Sequence, residues 1–222
     1  MHTAIPIDSD NYPRRLALTP GAPPVLYTHG NAPLNAPHTI AIVGTRSATP
    51  YALRFINNLV DDLARMLPQP VIVSGLALGC DIMAHRRAVE RRVPTVAVLA
   101  HGLHTLYPAA HSQFARSMVA GDKGMLLTAY PEGTPVHRSN FLARNKIVAG
   151  ISDCGRPRWR PPHRPLRSLN RAPGIRLPRT HRRPLLIRLQ HAHTPGHSLP
   201  LRIGRRPRRS NGMAGSHNRR LL

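Results

Sequence analysis

The sequence predicts an α/β domain: a Rossmann-like parallel sheet with helices on both faces. Three observations support this fold class. Short apolar runs of strand length alternate with longer stretches of helical period between residues 39 and 151. The short runs are apolar throughout, which is typical of parallel strands covered on both faces. Glycine follows the first two runs, at Gly44 and Gly75, where the chain must turn from strand into helix.

The first strand–helix–strand unit is predicted over residues 39–74. Residues 39–43 form its first strand and Val71–Ser74 its second. Between them, Thr49 is a suitable N-cap and Pro50 suits the first position of a helix. Apolar residues follow at helical spacing: Leu53, Ile56, Leu59, Val60, Leu63 and Leu67.

The remaining elements follow the same alternation. We predict a helix over 81–92, a strand over 94–99, a helix over 109–119, a short strand over 125–127 and a last helix over 139–151. The first of these helices has four apolar positions: Ile82, Ala84, Ala88 and Val89. Right-handed crossovers place all the strand-to-helix loops at one edge of the sheet, where such folds bind their ligands.

Composition divides the chain into three segments. Residues 1–38 are predicted to be a Pro-rich N-terminal extension that packs on the domain formed by residues 39–154. Residues 1–154 hold 14 Lys and Arg against 9 Asp and Glu, a net charge of +5. Residues 155–222 hold 18 Arg with no Lys and no acidic residue, and Pro recurs without any strand or helical period. We predict that this Arg/Pro-rich tail is disordered.

The charge and the cysteines narrow the class of protein. A total net charge of +23 favours a nucleic-acid partner, although most of that charge lies in the tail. Cys80 and Cys154 lack the spacing of a zinc site and are too few for a disulfide framework, so we expect a reducing cytoplasm. The N-terminus does not have the order of a secretory signal, and no apolar run reaches the roughly 20 residues that span a bilayer.

The first candidate site is the turn Gly44-Thr45-Arg46, between a strand and a helix. Glycine allows a phosphate to approach the backbone, and the N-terminus of the following helix offers N–H groups to an anion. Arg46 adds a planar group that can bind phosphate through two hydrogen bonds. The alternative is a simple tight turn with a solvated arginine, because the motif lacks the full GxGxxG pattern.

A second candidate phosphate loop joins Val71–Ser74 to the next helix. Ser74, Gly75 and Gly79 are small residues that permit close backbone packing or the approach of a phosphate. Asp81 is expected to be the N-cap of the helix that follows.

Other chemistry has little support in the sequence. Asp81 and His85 are one helical turn apart, but no third ligand is placed near them, so no metal is expected. His101 and His104 are interpreted as solvated histidines. Ser74 has no partner base and acid, so a hydrolytic triad is not supported. No catalytic residue and no cofactor are assigned.

The third candidate is the last predicted helix, with Phe141, Arg144, Asn145 and Lys146. Cations for phosphates and an aromatic ring for base stacking are the combination that single-strand binders use. The alternative is that the aromatic and aliphatic residues are core and the polar residues form a solvated face.

Five segments in order resemble the DprA/Smf DNA-processing family: YPRRL with PPVLYTHGN, IAIVGTRSATPYA, VSGLALGCDIMAH, VAVL with GLHTLYP, and YPEGTPVHRSNFLARNKIVAGISD. The resemblance spans residues 12–153. It implies a Rossmann-like domain that binds single-stranded DNA, forms a homodimer, protects incoming DNA in natural transformation and loads a RecA-type recombinase. It implies neither an enzyme nor a metal. The family's G-S/T-R motif corresponds to Gly44, Thr45 and Arg46, and its FxxRN(R/K) element to Phe141, Arg144, Asn145 and Lys146.

The chain departs from this family after residue 154. There the family continues with a buried hydrophobic strand, whereas this chain continues with the Arg/Pro tail. An abrupt change to Arg without acid or Lys resembles out-of-frame translation, and we hypothesise a frameshift near codon 154. The sheet would then lack a strand and present an unpaired edge, and part of the family's dimer surface would be lost.

Three other functional interpretations stay open at this point. The domain could be a nucleotide-binding phosphoribohydrolase-like enzyme, although it has no PGGxGT-type loop and no carboxylate placed as a base. The chain could be a non-functional frameshifted fragment. The tail could also bind nucleic acid through charge alone, without specificity.

Overall fold

A computed structural model of the chain describes residues 2–153 and 186–189, which form one seven-stranded sheet with helices on both faces. The strands are β1 (His2–Pro6), β2 (Val25–Gly30), β3 (Thr39–Gly44), β4 (Val71–Ser74), β5 (Thr95–Val98), β6 (Gly124–Thr128) and β7 (Leu186–Leu189). The helices are α1 (Arg14–Ala17), α2 (Pro50–Ala64), α3 (Cys80–Glu90), α4 (Ser112–Ala120) and α5 (Arg138–Ile151), and a 3-10 turn covers Ala109–His111.

The order of the strands explains the two helical layers. The sheet order is β1-β2-β6-β5-β4-β3-β7, and β3 to β6 are parallel neighbours that follow one another across the sheet. Right-handed crossovers in one direction put α2, α3 and α4 on the same face. Helix α5 follows β6, packs on the opposite face and contacts α1 there. The predicted α/β fold class is confirmed.

Side chains of the parallel strands alternate between the two layers. Ile40, Ile42 and Ile72 pack against α2 and α3, whereas Ala41 and Val73 point into the other core. That second core also receives three buried residues of α5: Ile147, Val148 and Ile151. Because both faces are covered, these strands need apolar residues at every position, which is why they appear in the sequence as continuous apolar runs.

The N-terminal segment adds two antiparallel strands to the sheet. Strand β2 pairs antiparallel with β6, with Tyr27 opposite Thr128, and β1 pairs antiparallel with β2. The sheet is therefore mixed, and the expectation of a parallel sheet holds only for β3 to β7. Leu26 and Thr28 are buried between half-buried or exposed neighbours, which is the alternation of a strand covered on one face.

The predicted helices have small corrections at their ends. Helix α2 begins at Pro50 with Thr49 as N-cap, whose hydroxyl accepts from the Ala52 N–H at 3.2 Å, as predicted. Leu67, expected on its apolar face, lies beyond the helix and is exposed. The helix predicted over 109–119 consists of the 3-10 turn and α4.

Strand β7 corrects the prediction for part of the tail. Residues 155–222 were expected to contain no regular structure, yet Leu186–Leu189 pairs parallel with the outer edge of β3. The expected unpaired edge is thus occupied. The strand sequence LIRL has three apolar residues among its four, and the backbone groups of β3 offer it hydrogen bonds. The prediction of disorder for the rest of the tail lies outside the described residues.

Within the described ranges, no helix combines the length and apolarity needed to cross a bilayer.

Candidate nucleic-acid interface

A cleft lies at the carboxyl ends of β3 and β4, beside α5. Its volume is about 440 Å³. The loops after both strands and one side of α5 contribute its lining: Val43, Gly44, Arg46, Ala77, Asp81, Phe141, Arg144, Asn145, Val148 and Ala149. This is the edge of the sheet at which the sequence placed the candidate loops, because the carboxyl ends of parallel strands meet there.

The Gly44-Thr45-Arg46 turn packs against the start of α3. The Cys80 N–H donates to the Thr45 carbonyl oxygen at 3.1 Å. Gly79 has a φ of 76°, and a Cβ atom there would overlap the carbonyl oxygens of Thr45 and Arg46. Gly79 therefore serves close packing of the two loops, while the Arg46 side chain remains exposed.

Asp81 holds these loops together from beneath. Its carboxylate accepts from the Gly75 N–H at 3.1 Å and also from the backbone N–H groups of Gly44 and Ala77. Burial raises the pKa of Asp81 above its ordinary value, while the nearby Arg144 guanidinium and these N–H groups act in the opposite direction. The N-cap of α3 is Gly79 rather than the predicted Asp81, because the Asp81 carboxylate is used by the two loops.

Arg144 is buried below the cleft, with only 5% of its surface exposed. Its Nη1 donates to the Val98 carbonyl oxygen at 3.2 Å, and its guanidinium occupies the space where a side chain at residue 75 would lie. Burial lowers the pKa of Arg144, and the Asp81 carboxylate opposes that shift. The guanidinium also lies 5.6 Å from the centroid of the Phe141 ring. Arg144 thus connects α5, β5 and the loop after β4.

The structure separates the other predicted residues of α5. Phe141 and Asn145 line the cleft, and Asn145 is exposed. Lys146 is exposed but lies on the far side of α5, where it lines a groove shared with Arg15 and Tyr130. The cleft therefore brings together five of the predicted site residues: Gly44, Arg46, Phe141, Arg144 and Asn145.

Ser74 and the histidines have structural partners. Ser74 is fully buried, and its hydroxyl donates to the Ile42 carbonyl oxygen at 2.5 Å. His85 is fully buried with its Nδ1 2.7 Å from the Thr95 hydroxyl. His101, expected to be solvated, is buried beside the Gly102 carbonyl oxygen, whereas His104 is exposed as predicted. Among the described residues, no group of three His, Cys, Asp or Glu is placed to hold a metal.

Sequence reasoning missed an apolar slot next to the cleft. The loop after β5 contributes Tyr107 and Pro108, and the loop after β4 contributes Leu78. Arg46 and Phe141 line both the slot and the cleft. The signal available in the sequence is an aromatic residue, Tyr107, in the third loop that the topology brings to this edge, although only the histidines of that loop stood out as candidates.

Comparison with known proteins agrees with the fold. The profile of the family DNA recombination-mediator protein A matches residues 3–154. Protein Smf of Escherichia coli is 35% identical over 153 residues, which cover 68% of this chain and 40% of that protein. DNA processing protein DprA of Bacillus subtilis is 35% identical over 150 residues, which cover 67% of this chain and 49% of that protein. The chain thus spans less than half the length of these relatives.

Two solved structures are similar to the described part of the chain. The X-ray structure of DNA processing protein A from Streptococcus pneumoniae has a TM-score of 0.62 and 31% identity, covering 68% of this chain and 52% of that one. The second structure is that of the protein of the same name from Helicobacter pylori and addresses its single-stranded DNA binding mode. It has a TM-score of 0.60 and 30% identity, and the match covers 69% of this chain and 67% of that one. With a family profile matched over most of its length, this chain belongs to the DNA recombination-mediator protein A family, that of the DprA and Smf proteins.

Proposed function

We propose that this chain is a DNA-processing protein that binds single-stranded DNA in the cleft beside α5 and acts in natural transformation. The observation that carries the proposal is that an exposed arginine and an aromatic ring, Arg46 and Phe141, line one cleft at the carboxyl edge of the sheet. A cation for the backbone and a ring for a base are the two contacts that single-strand binding requires. The Helicobacter pylori protein, whose structure addresses its single-stranded DNA binding mode, supports the same ligand.

The candidate DNA contacts in the cleft have different proposed roles. The Gly44-Thr45-Arg46 turn binds a phosphate, with the Arg46 guanidinium as the charged contact. Phe141 stacks on a base, and Asn145 donates or accepts a hydrogen bond at the same side of α5. We assign Arg144 to positioning instead, because its guanidinium is buried and bonded to Val98.

The other predicted DNA contacts take secondary places in this proposal. Lys146 contacts a strand only where the strand crosses α5 into the groove on its far side. Ser74, Gly75 and Gly79 shape the loop after β4 rather than bind phosphate, since Ser74 is bonded inward and the two glycines make room for Arg144 and Thr45.

Further steps rest on the family alone. We propose that this chain protects incoming DNA, transfers the strand to a RecA-type recombinase and forms a homodimer. Its proposed role is one of binding, without a catalytic residue.

We further infer that residues 2–153 are the DNA-binding unit and that the Arg/Pro tail arises from a frameshift near codon 154. Sequencing the gene tests that inference: the alternative frame should encode a continuous hydrophobic strand, and an uninterrupted Arg/Pro frame would contradict it.

The binding proposal is tested with the full chain and labelled oligonucleotides. We expect the protein to prefer single-stranded to duplex DNA in the presence of excess unlabelled duplex, which occupies the basic tail. Arg46→Ala should abolish the preference and reduce the slope of log affinity against log salt by about 0.7, the share of one phosphate contact on a single strand.

Two controls separate the cleft from simple charge. Arg116→Ala removes the same charge from an exposed site on α4, outside the cleft lining, and should leave binding unchanged. A peptide of residues 155–222 shows what the tail binds alone. If that peptide reproduces the affinity of the whole chain, or if both arginine variants behave alike, the proposal is wrong.

A further inference from the structure

We infer that Tyr107 is a nucleobase-contacting residue, whose ring supports one base of a strand held in the cleft. The inference rests on the proposed function and adds a residue to the site. Tyr107 lies in the loop after β5, and 45% of its surface is exposed. Its ring centroid is 6.1 Å from that of Phe141, with an angle of 71° between the planes. The two rings thus form a continuous aromatic surface.

Hydrogen bonds hold this loop in place before any ligand arrives. The backbone N–H of His111 donates to the Pro108 carbonyl oxygen at 2.9 Å. The ring Nδ1 of His111 lies 2.8 Å from the Leu76 carbonyl oxygen. His111 thereby fastens the loop of Tyr107 to the loop after β4. An aromatic contact that is already ordered loses less entropy on binding than one that must be recruited.

The walls of the slot are suited to the face of a base. Leu78 is a large apolar residue with 46% of its surface exposed, and Ala77 and Pro108 are beside it. Arg46 is the single charged residue of the slot lining. The enclosed space is only about 30 Å³, which is too small to contain a base, so the base must lie on the outer faces of the rings. Such a contact uses the π-face that every base has and gives little sequence preference.

Arg46 connects the slot with the cleft. Its side chain lines both spaces, so a phosphate bound to Arg46 places the neighbouring nucleotide next to Tyr107. Phe141 lines both spaces as well, and the strand would run across it from the cleft to the slot. Tyr107 is therefore expected to contribute through its ring, with no part in phosphate binding.

The test compares variants of the full chain on two ligands, again with excess duplex present. One ligand is a normal single-stranded oligonucleotide, and the other has the same backbone with abasic sites. Tyr107→Ala should weaken binding of the normal oligonucleotide by about five- to 150-fold, the usual range for one base stack. Tyr107→Phe should bind like the unmodified protein, since the ring is retained. The salt slope should stay unchanged in both variants.

Matched controls define what would overturn the inference. Tyr51→Ala removes a tyrosine from the first turn of α2 that has the same exposed fraction, 45%. It should change neither the affinity for the normal oligonucleotide nor that for the abasic one. If Tyr107→Ala weakens binding of the abasic ligand as much as of the normal one, Tyr107 does not contact a base. Should Tyr107→Ala fail to fold, Tyr107→Leu keeps an apolar side chain against Phe141 and should still lose affinity.

The two proposals fail in different ways. If the unmodified protein prefers single strands and loses that preference on Arg46→Ala, but the Tyr107 variants bind normally, this inference is wrong and the proposed function stands. If the unmodified protein shows no preference for single strands, both are overturned.

Discussion

A guanidinium group kept away from water requires compensation, and Arg144 obtains it from Asp81 and the Val98 carbonyl oxygen. The carboxylate in turn accepts N–H groups from the loops after β3 and β4. Charge buried under the cleft therefore fixes the backbone that forms the cleft. Removing one partner of such a buried network is costly, because the other partner is left without compensation.

At this scale the sequence did not predict the directions in which the candidate residues of α5 point. Arg144, Asn145 and Lys146 were expected to lie together on one side of α5. In the structure Arg144 points inward, Asn145 points into the cleft, and Lys146 points into the groove on the opposite side of the helix. Successive residues on a helix are about 100° apart, so three in a row cannot share one face. Which of the three points inward depends on how α5 packs on the sheet, and a single segment of sequence does not contain that information.

Gly75→Ala tests the position of Arg144. A Cβ atom at residue 75 would overlap the guanidinium and displace it from the Val98 carbonyl oxygen. We expect the free energy of unfolding to fall by about 1–3 kcal/mol, from overpacking and the lost hydrogen bond. Urea titration measures this, and affinity for single-stranded DNA should fall as well.

Gly121→Ala is the matched control for that substitution. A Cβ atom at residue 121 would meet its nearest neighbour at 3.5 Å, an ordinary contact, so stability should change by no more than about 0.5 kcal/mol. Equal effects of the two substitutions would show that Arg144 tolerates displacement.

Secondary-structure elements were the best predicted feature of the fold. The four central strands and the helices between them have apolar periods that differ clearly, so their order followed from the sequence. β1 and β2 were missed because prolines and a loop separate short strands that are buried on one face only. β7 was missed because four residues carry little periodic signal inside a stretch dominated by Arg and Pro.

The contact between α3 and β5 depends on an uncharged histidine. The Thr95 hydroxyl donates to the Ile72 carbonyl oxygen at 3.0 Å, so it accepts from the Nδ1–H of His85 and leaves Nε2 unprotonated. That Nε2 is buried and has no hydrogen-bond partner among the described residues. Burial lowers the pKa of His85 to about 3, and the positive charge of Arg144 contributes to the shift.

This histidine predicts a loss of stability in acid. Above about pH 6.5 His85 is neutral in the folded and the unfolded chain and contributes no pH dependence. As the pH falls from there towards 3, only the unfolded chain takes up the proton, so the free energy of unfolding decreases by up to about 1.4 kcal/mol per pH unit. Urea titrations between about pH 7 and about pH 4 measure the slope.

Substitution isolates the contribution of this one group. His85→Gln removes the titration, so its stability should depend less on pH than that of the unmodified protein. His104→Gln changes an exposed histidine and is the control for replacing an imidazole by an amide. Parallel slopes for all three proteins would contradict the assignment of the acid sensitivity to His85.

For the whole molecule, Asp153 joins the N-terminal segment to the sheet and to α5. Its carboxylate accepts from the Arg15 Nε at 2.6 Å and from the Thr39 N–H at 2.9 Å. Arg15 also donates to the carbonyl oxygens of Ala36 and Pro37. Residues 2–38 are thus integrated into the fold, and Asp153 takes part in that integration.

Asp153→Ala should therefore lower the stability of the whole domain. The buried Thr39 N–H and the largely buried Arg15 would both lose a partner, and we expect the free energy of unfolding to decrease by about 1–3 kcal/mol. Glu90→Ala is the control, since Glu90 is 60% exposed in its pair with Arg87 and should contribute no more than about 0.5 kcal/mol. Equal unfolding midpoints for the two variants would show that Asp153 does not have this role.

The direction of β7 determines where the last part of the chain starts. Because β7 runs parallel to β3, Leu189 lies opposite Gly44, at the same edge of the sheet as the cleft. The chain therefore leaves β7 at that edge of the sheet, and the sequence that follows, residues 190–222, holds seven arginines and no acidic residue. If those arginines contacted a strand already held in the cleft, this second contact would be intramolecular. Its effective concentration would be set by the length of chain between the arginines and β7, and not by the concentration of protein in solution. Long strands would gain from this avidity, and short oligonucleotides confined to the cleft would not.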